Sequence, residues 1–311
     1  LFDIALYIHR GLGDAMVDGT PAVPRASPNH AEGDRMTFDI GRAVLAMTAA
    51  LGGLVAGGAA HALDLLPHRA LYTLSLAAVR GSSDISSLDG RMALEWADAC
   101  DGWTVNQKVL MTLGNRNGPA VTNEFSFSSF ESKNGDNLRF TMRSSADGEP
   151  YDEFVGTAQR SAQGGKVEFS QPEGLTLDLP AGTIFPSEHL ALLVEGALAG
   201  KTWIAESVFS GTGPESLHQV TAFIGPEIPV GSRPLVPAGT GDATLLALGE
   251  LRSWPVSMAY FPLRRKDAEP EFEVSYRLVE NGVAANLVLD YGEFAMRAIL
   301  SKLEFLDPPD C

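Results

Sequence analysis

The chain of 311 residues is 45% hydrophobic and 20% charged, which is enough length and apolar content for a sizeable core and excludes a wholly disordered polypeptide. Its formal net charge is -16 and no basic stripe interrupts the acidity, which argues against a nucleic-acid partner, since phosphate binding needs clustered Lys and Arg. Acidity also weakens attraction to anionic membrane surfaces, and it carries no information about fold.

Residues 1–35 have no sustained helical or strand period and precede what reads as a complete export signal. They are expected to be a non-native upstream extension with translation starting at Met36, a processed pro-segment being the alternative. Met36 to Arg42 is followed by an apolar run from Ala43 to Ala60 and then by Ala60-His61-Ala62, the order of n-region, h-region and small-x-small cleavage site. The spacing predicts a signal peptide over 36–62, cut after Ala62. A buried helix or membrane anchor fits less well, because Gly52, Gly53, Gly57 and Gly58 each cost a helix interior roughly 1 kcal/mol relative to Ala. A spanning helix also wants about 20 strongly apolar residues, and this run is mainly Ala and Gly. Arg42 alone supplies positive charge and Asp39 opposes it; no Arg-Arg pair precedes the run, and Leu63 rather than a cysteine follows the cut. The mature product is therefore expected to be free in the periplasm, with no membrane span.

From Leu71 the dominant signal is alternation at period two, the mark of strands with one face in a core. Leu74 and Leu76 lead into Val79; Met92, Leu94 and Trp96 follow; Trp103, Val105, Val109, Met111 and Leu113 continue. Phe125 with Phe127, then Leu138, Phe140 and Met142, then Val167 with Phe169, then Leu175, Leu177 and Leu179 extend the series. The clusters Gly114-Asn115-Arg116-Asn117-Gly118 and Asn134-Gly135-Asp136 read as hairpin turns, because their residues tolerate positive φ or bond their own backbone.

The period then changes once. Leu190, Leu193, Val194 and Ala197 fall on one helical face, with Pro186, Ser187 and Glu188 as start signals and Gly200 as a stop, so a single principal helix is predicted near 187–199. Alternation resumes from Trp203 to Phe209, from Val220 to Ile224, and at Trp254, Val256, Met258 and Tyr260. Pro226 to Asp242, rich in Pro and Gly, reads as a long surface loop. Phe272 to Leu278 alternates into Asn281-Gly282, a dipeptide suited to a two-residue primed turn, and Val283 to Leu289 alternates out. A last strand is predicted from Phe294 to Phe305. The fold class is mainly β: one antiparallel domain over 63–311, with too many strands to stay flat, so that the sheet must curl, close or split.

The sequence holds two cysteines, Cys100 and Cys311, and in an exported chain that count is the composition of one structural bridge. Such a bridge closes a loop of 311 minus 100, or 211 positions. Chain entropy then contributes at most roughly 5 kcal/mol. A structural zinc site would show more ligands at short spacing, and a redox pair would show C-x-x-C; an intermolecular bond is the remaining rival.

No catalytic, cofactor or metal site is predicted. His68, His189 and His218 are too dispersed for a local metal motif and read as surface or structural residues. Ser207 and Ser210 lack a G-x-S-x-G elbow, and Gly239-Thr240-Gly241 lacks the lysine of a phosphate loop. Asp98, Asp101, Glu124, Asp152 and Glu153 are carboxylates of a kind that any acidic protein contains. Trp96, Trp103, Trp203 and Trp254 occupy strand positions and read as core, although a curled sheet lined with aromatics could enclose an apolar cavity.

His68-Arg69-Ala70-Leu71-Tyr72, Gly90-Arg91-Met92, Cys100-Asp101-Gly102-Trp103-Thr104, Glu206-Ser207-Val208-Phe209, Ser253-Trp254-Pro255-Val256 and the cysteine after the last strand resemble the cell-envelope-integrity EipB family of Gram-negative periplasmic proteins. The resemblance covers essentially the whole of 63–311. It implies a β-spiral or half-barrel, similar in shape to periplasmic lipoprotein carriers, with the two cysteines bridged. It also implies a non-enzymatic role in envelope integrity. Three readings of that role differ in what the interior should hold: a protein binding another envelope component has a packed interior, a carrier of a lipid or lipoprotein acyl chain has an apolar cavity, and a cell-wall or lipid hydrolase has a cleft with converging titratable groups.

Overall fold

The computed structural model describes residues 65–81, 83–235, 240–263 and 269–311. The extension 1–35 and the export segment 36–62 lie outside the described residues, as does Gly239.

Eight strands come first: β1 (His68–Val79), β2 (Ile85–Asp98), β3 (Gly102–Asn115), β4 (Val121–Ser132), β5 (Asn137–Ala146), β6 (Glu149–Ser161), β7 (Gly164–Gln171) and β8 (Thr176–Leu179). Helix α1 (Pro186–Leu198) leads into β9 (Trp203–Phe209) and β10 (Leu217–Ile224), and a short helix α2 (Ala243–Leu248) precedes β11 (Ser253–Pro262). The series ends with β12 (Phe272–Val279), β13 (Ala284–Asp290) and β14 (Phe294–Phe305).

All fourteen strands belong to one sheet, in the order β8-β7-β6-β5-β4-β3-β2-β1-β14-β13-β12-β11-β10-β9. Each strand pairs antiparallel with its neighbour. The first and last strands therefore lie side by side near the middle, His68 opposite Phe305 and Val79 opposite Phe294. Helix α1 carries the chain from one edge to the other. Those edges approach at Ile184, which forms a parallel bridge to Val208. The Ile184 N–H donates to the Ser207 carbonyl at 2.8 Å, and its own carbonyl accepts from the Phe209 N–H at 3.1 Å. Across the interior, Phe140 on β5 meets Phe209 on β9 edge to face, with centroids 5.7 Å apart. The sheet is mostly β and nearly closed into a barrel, the outcome that twist accumulated over so many strands requires.

Alternation positions the core. On β1, His68, Ala70, Tyr72 and Leu74 are buried while Arg69 and Thr73 face solvent. The Tyr72 hydroxyl donates to the Ala284 carbonyl at 2.8 Å, which ties β1 to β13 across β14. The predicted helical face Leu190, Leu193, Val194 and Ala197 is buried on α1, and Ser187, His189 and Gly196 are buried beside it. The helix thus lies inside the curve of the sheet, covered on more than one stripe.

Three local expectations change. The Asn281-Gly282 turn is not a two-residue primed turn: Gly282 has φ 89, Asn281 does not have positive φ, and the Val279 N–H closes the loop on the Val283 carbonyl at 2.9 Å. Asn281 is held by other bonds, its carbonyl accepting from Leu66 and its side-chain oxygen from Val283. Helix α2 follows the Pro- and Gly-rich loop and is capped by Asp242, whose carboxylate accepts from the Thr244 and Leu245 N–H groups. Trp203 is 61% exposed rather than core, because it stands on the outward face of the edge strand β9.

Candidate functional site

One end of the sheet is closed by covalent and polar devices. The β2–β3 turn holds Cys100 at φ 66, a left-handed conformation that costs a residue with a β-carbon about 1 kcal/mol. The Asp98 carboxylate accepts from the Cys100 N–H at 2.8 Å and pairs with Lys133 Nζ at 2.8 Å. Gly102 is required because a β-carbon there would strike the Phe130 ring and come within 2.6 Å of the Glu131 carbonyl. Trp103 stacks on Trp96 with centroids 4.2 Å apart, and Lys133 lies 5.0 Å over the Trp103 ring. Beyond β14 the chain crosses the start of β1, where the Leu306 N–H donates to the Pro67 carbonyl at 2.9 Å. It brings Cys311 to Cys100, with Sγ–Sγ 2.04 Å and Cα–Cα 5.8 Å, inside the range a disulfide demands.

Helix α1 crosses this same end. Phe185 supplies no side-chain cap, and the free N–H groups of Ser187 and Glu188 are instead satisfied by the Glu131 carboxylate of β4, at 2.8 and 3.1 Å. A carboxylate also suits the positive end of a helix. Burial pushes the Glu131 pKa up while those two N–H groups oppose the shift. Arg160 pairs with Glu188, donates to the Thr183 carbonyl at 2.9 Å and lies over the Phe185 ring. Trp96 Nε1 reaches Ser187 Oγ at 3.5 Å, and a β-carbon on Gly196 would come within 2.7 Å of Ile204.

The three histidines are all buried, so the surface alternative does not hold for any of them. His68 Nδ1 lies 2.8 Å from the Leu66 carbonyl and its Nε2 has no hydrogen-bond partner among the described residues; burial lowers its pKa. His189 Nε2 likewise has no hydrogen-bond partner among the described residues, and burial lowers the pKa to about 4. His218 Nε2 lies 3.2 Å from Glu271 Oε2, between the rings of Tyr260 and Phe272. No group of three or more His, Cys, Asp or Glu side chains is placed to hold a metal ion among the described residues. Ser207 bonds Gln219, and Ser210 bonds Thr212.

Large side chains pack the described interior. Trp96, Tyr72, Phe185, Phe209, Leu74, Leu138, Met142 and Leu193 are fully buried large side chains. Two cavities with room for a ligand lie on the outward face. One of about 520 Å³ spans β14, β1, β2 and β3, and one of about 820 Å³ continues from it over β4 to β6. They share Leu71, Ala93 and Lys108. Strand register sets Lys302, Leu71, Ala93, Lys108, Ser126 and Arg143 in one row across five strand boundaries. The adjacent row holds Thr73, Arg91, Leu110 and Glu124. Of the carboxylates noted in the sequence, Asp98 and Asp101 belong to the cysteine turn, while Glu124, Asp152 and Glu153 line the larger groove. Glu153 pairs with Arg143 at 2.8 Å. Sequence reasoning did not single out Glu131 or Leu110; an outward leucine between Arg91 and Glu124 carries no local signal.

No described helix is long and apolar enough to cross a membrane, which says nothing of strands. The cell envelope integrity protein EipB of Brucella abortus (strain 2308) is 33% identical over 257 residues, covering 81% of this chain and 88% of that protein. The crystal structure of a β-barrel-like protein of a domain of unknown function, also from Brucella abortus, is similar with a TM-score of 0.71 at 29% identity, over 79% of this chain and 100% of that one. The EipB-like profile matches residues 59–307, and the chain belongs to the EipB-like family.

Proposed function

We propose that this protein is exported to the periplasm, cut after Ala62, and maintains the cell envelope as a non-enzymatic protein that binds another envelope component. The observation that carries the reading is the division between an interior packed with large buried side chains and an open outward groove. An acyl carrier needs an empty apolar lumen, whereas here α1, Trp96, Tyr72 and Phe209 occupy that space. A hydrolase needs converging groups around a reacting bond, whereas His218 is enclosed by Glu271, Tyr260 and Phe272 and His68 lies beside Trp96. The name of the Brucella relative supports the envelope role. The bonded pair Cys100 and Cys311 supports an oxidising compartment.

Deleting the gene and measuring survival in a bile-salt detergent tests the proposal. The deletion should sensitise cells, the full chain should restore survival, and a copy lacking residues 36–62 should not. An insensitive deletion strain, or equal rescue by the unexported copy, overturns the reading.

A further inference from the structure

The outward groove differs from an ordinary solvated sheet face in two ways. Its floor is apolar over adjoining strands, from Leu71 through Ala93 to Leu110, and Leu110 is 53% exposed. Its β14–β3 end is lined by Arg69, Arg91, Lys108 and Lys302 against Glu95 and Glu304, whereas Glu124, Asp152 and Glu153 lie at its β4–β6 end. Arg69 pairs with Glu95 and Glu304, and Arg143 pairs with Glu153, but Arg91, Lys108 and Lys302 take part in no ion pair among the described residues. Lys302 and Lys108 stand at opposite sides of the Leu71–Ala93 floor, three strand spacings or about 14 Å apart. In a chain with net charge -16, three unpaired cations around one apolar floor are complementary to a ligand with a negative head and an apolar body.

The backbone beneath the groove decides between an acyl chain and a peptide. At Leu71, Ala93 and Leu110 the strands β1, β2 and β3 are paired on both sides, so their N–H and C=O groups are already used there. An extended peptide laid over Leu71, Ala93 and Leu110 would leave its own backbone groups unsatisfied there, at a cost an acyl chain does not incur. Overall acidity repels an anionic bilayer, which favours a single lipid molecule taken at the groove over docking on a membrane surface. We infer that the groove between β14 and β6 binds an anionic phospholipid, its acyl chain on Leu71, Ala93 and Leu110 and its phosphate at Lys108, Arg91 or Lys302. This rests on the proposed envelope role and names the chemistry of the component bound.

The test uses the protein expressed from its full chain and fluorescent lysophosphatidylglycerol below its micelle concentration. Saturable binding at one molecule per chain is expected, weakened at least about tenfold by Lys108→Glu with Lys302→Glu and unchanged by Lys201→Glu, an exposed lysine outside the groove. Ala93→Glu should weaken it as well, by placing a charge on the floor. Equal affinity for lysophosphatidylcholine, binding indifferent to the groove substitutions, or competition by an acidic peptide rather than by phosphatidylglycerol would each overturn the inference. Such a failure would leave the detergent-survival result standing, so the two claims fail separately.

Discussion

On β1 the buried residues Ala70, Tyr72 and Leu74 alternate with Arg69, Leu71 and Thr73, which belong to the opposite face of the same strand. The inward set belongs to the buried core, where Tyr72 bonds the Ala284 carbonyl of β13. The outward set, with its counterparts on β2 and β3, forms a groove in which Arg91, Lys108 and Lys302 take part in no ion pair among the described residues. One strand thus serves shape on one side and contact on the other. The lesson is that stability and binding can be altered independently here, since a side-chain period of two separates the residues responsible.

The largest expected effect bears on the closed end. Replacing both cysteines by Ser should lower unfolding free energy by about 2 to 5 kcal/mol, measured by urea titration against the wild type without reductant. It should leave groove binding intact at temperatures where the variant is folded. If the variant instead loses lipid affinity while still folded, the separation of the two faces is broken.

The pH dependence sharpens the same contrast. His189 is held neutral by burial, with a pKa near 4 in the fold against 6.5 in the unfolded chain. Its contribution is fully present above pH 6.5 and is lost as pH falls through about 4, amounting to about 3 kcal/mol at most. The raised pKa values of Glu131 and Glu188 act in the opposite direction, and His68 in the same one. Comparing wild type with His189→Leu cancels those shared terms, so the leucine variant should lose less stability between pH 6.5 and 4. Identical slopes would mean that His189 is not buried neutral.

Smaller again is Glu131→Ala, which leaves the Ser187 and Glu188 N–H groups without their acceptor and should cost about 2 kcal/mol. Hydrogen exchange should show the loss concentrated in the first turn of α1. The smallest effect belongs to the outward face: Lys108→Glu with Lys302→Glu should change stability by less than about 0.5 kcal/mol, because both are exposed and take part in no ion pair among the described residues.

Much of this frame was legible in the sequence. Period-two alternation marked most of the strands, down to a last strand from Phe294 to Phe305, and the spacing of Leu190, Leu193, Val194 and Ala197 marked α1. The order of strands was not legible, because the pairing of β14 with β1 joins residues at opposite ends of the described chain and local patterning is blind to it. Glu131 escaped notice for the same reason, as it caps a helix 56 residues away. The burial of His189 was hidden by assuming a single apolar stripe on α1, whereas the helix is enclosed more widely. At Asn281-Gly282 a strong local preference yielded to the bond from Leu66, a tertiary contact. The groove was hidden because its residues alternate as any solvated face would. Register alone sets Lys302, Leu71, Ala93 and Lys108 in line.

Native mass spectrometry of the protein purified from its own periplasm tests the central claim, a packed interior with the working surface outside. The wild type should carry a noncovalent adduct of phospholipid mass, and Lys108→Glu with Lys302→Glu should lose that adduct while remaining folded. A wild type with no adduct, or an adduct that survives the groove substitutions, would contradict the account.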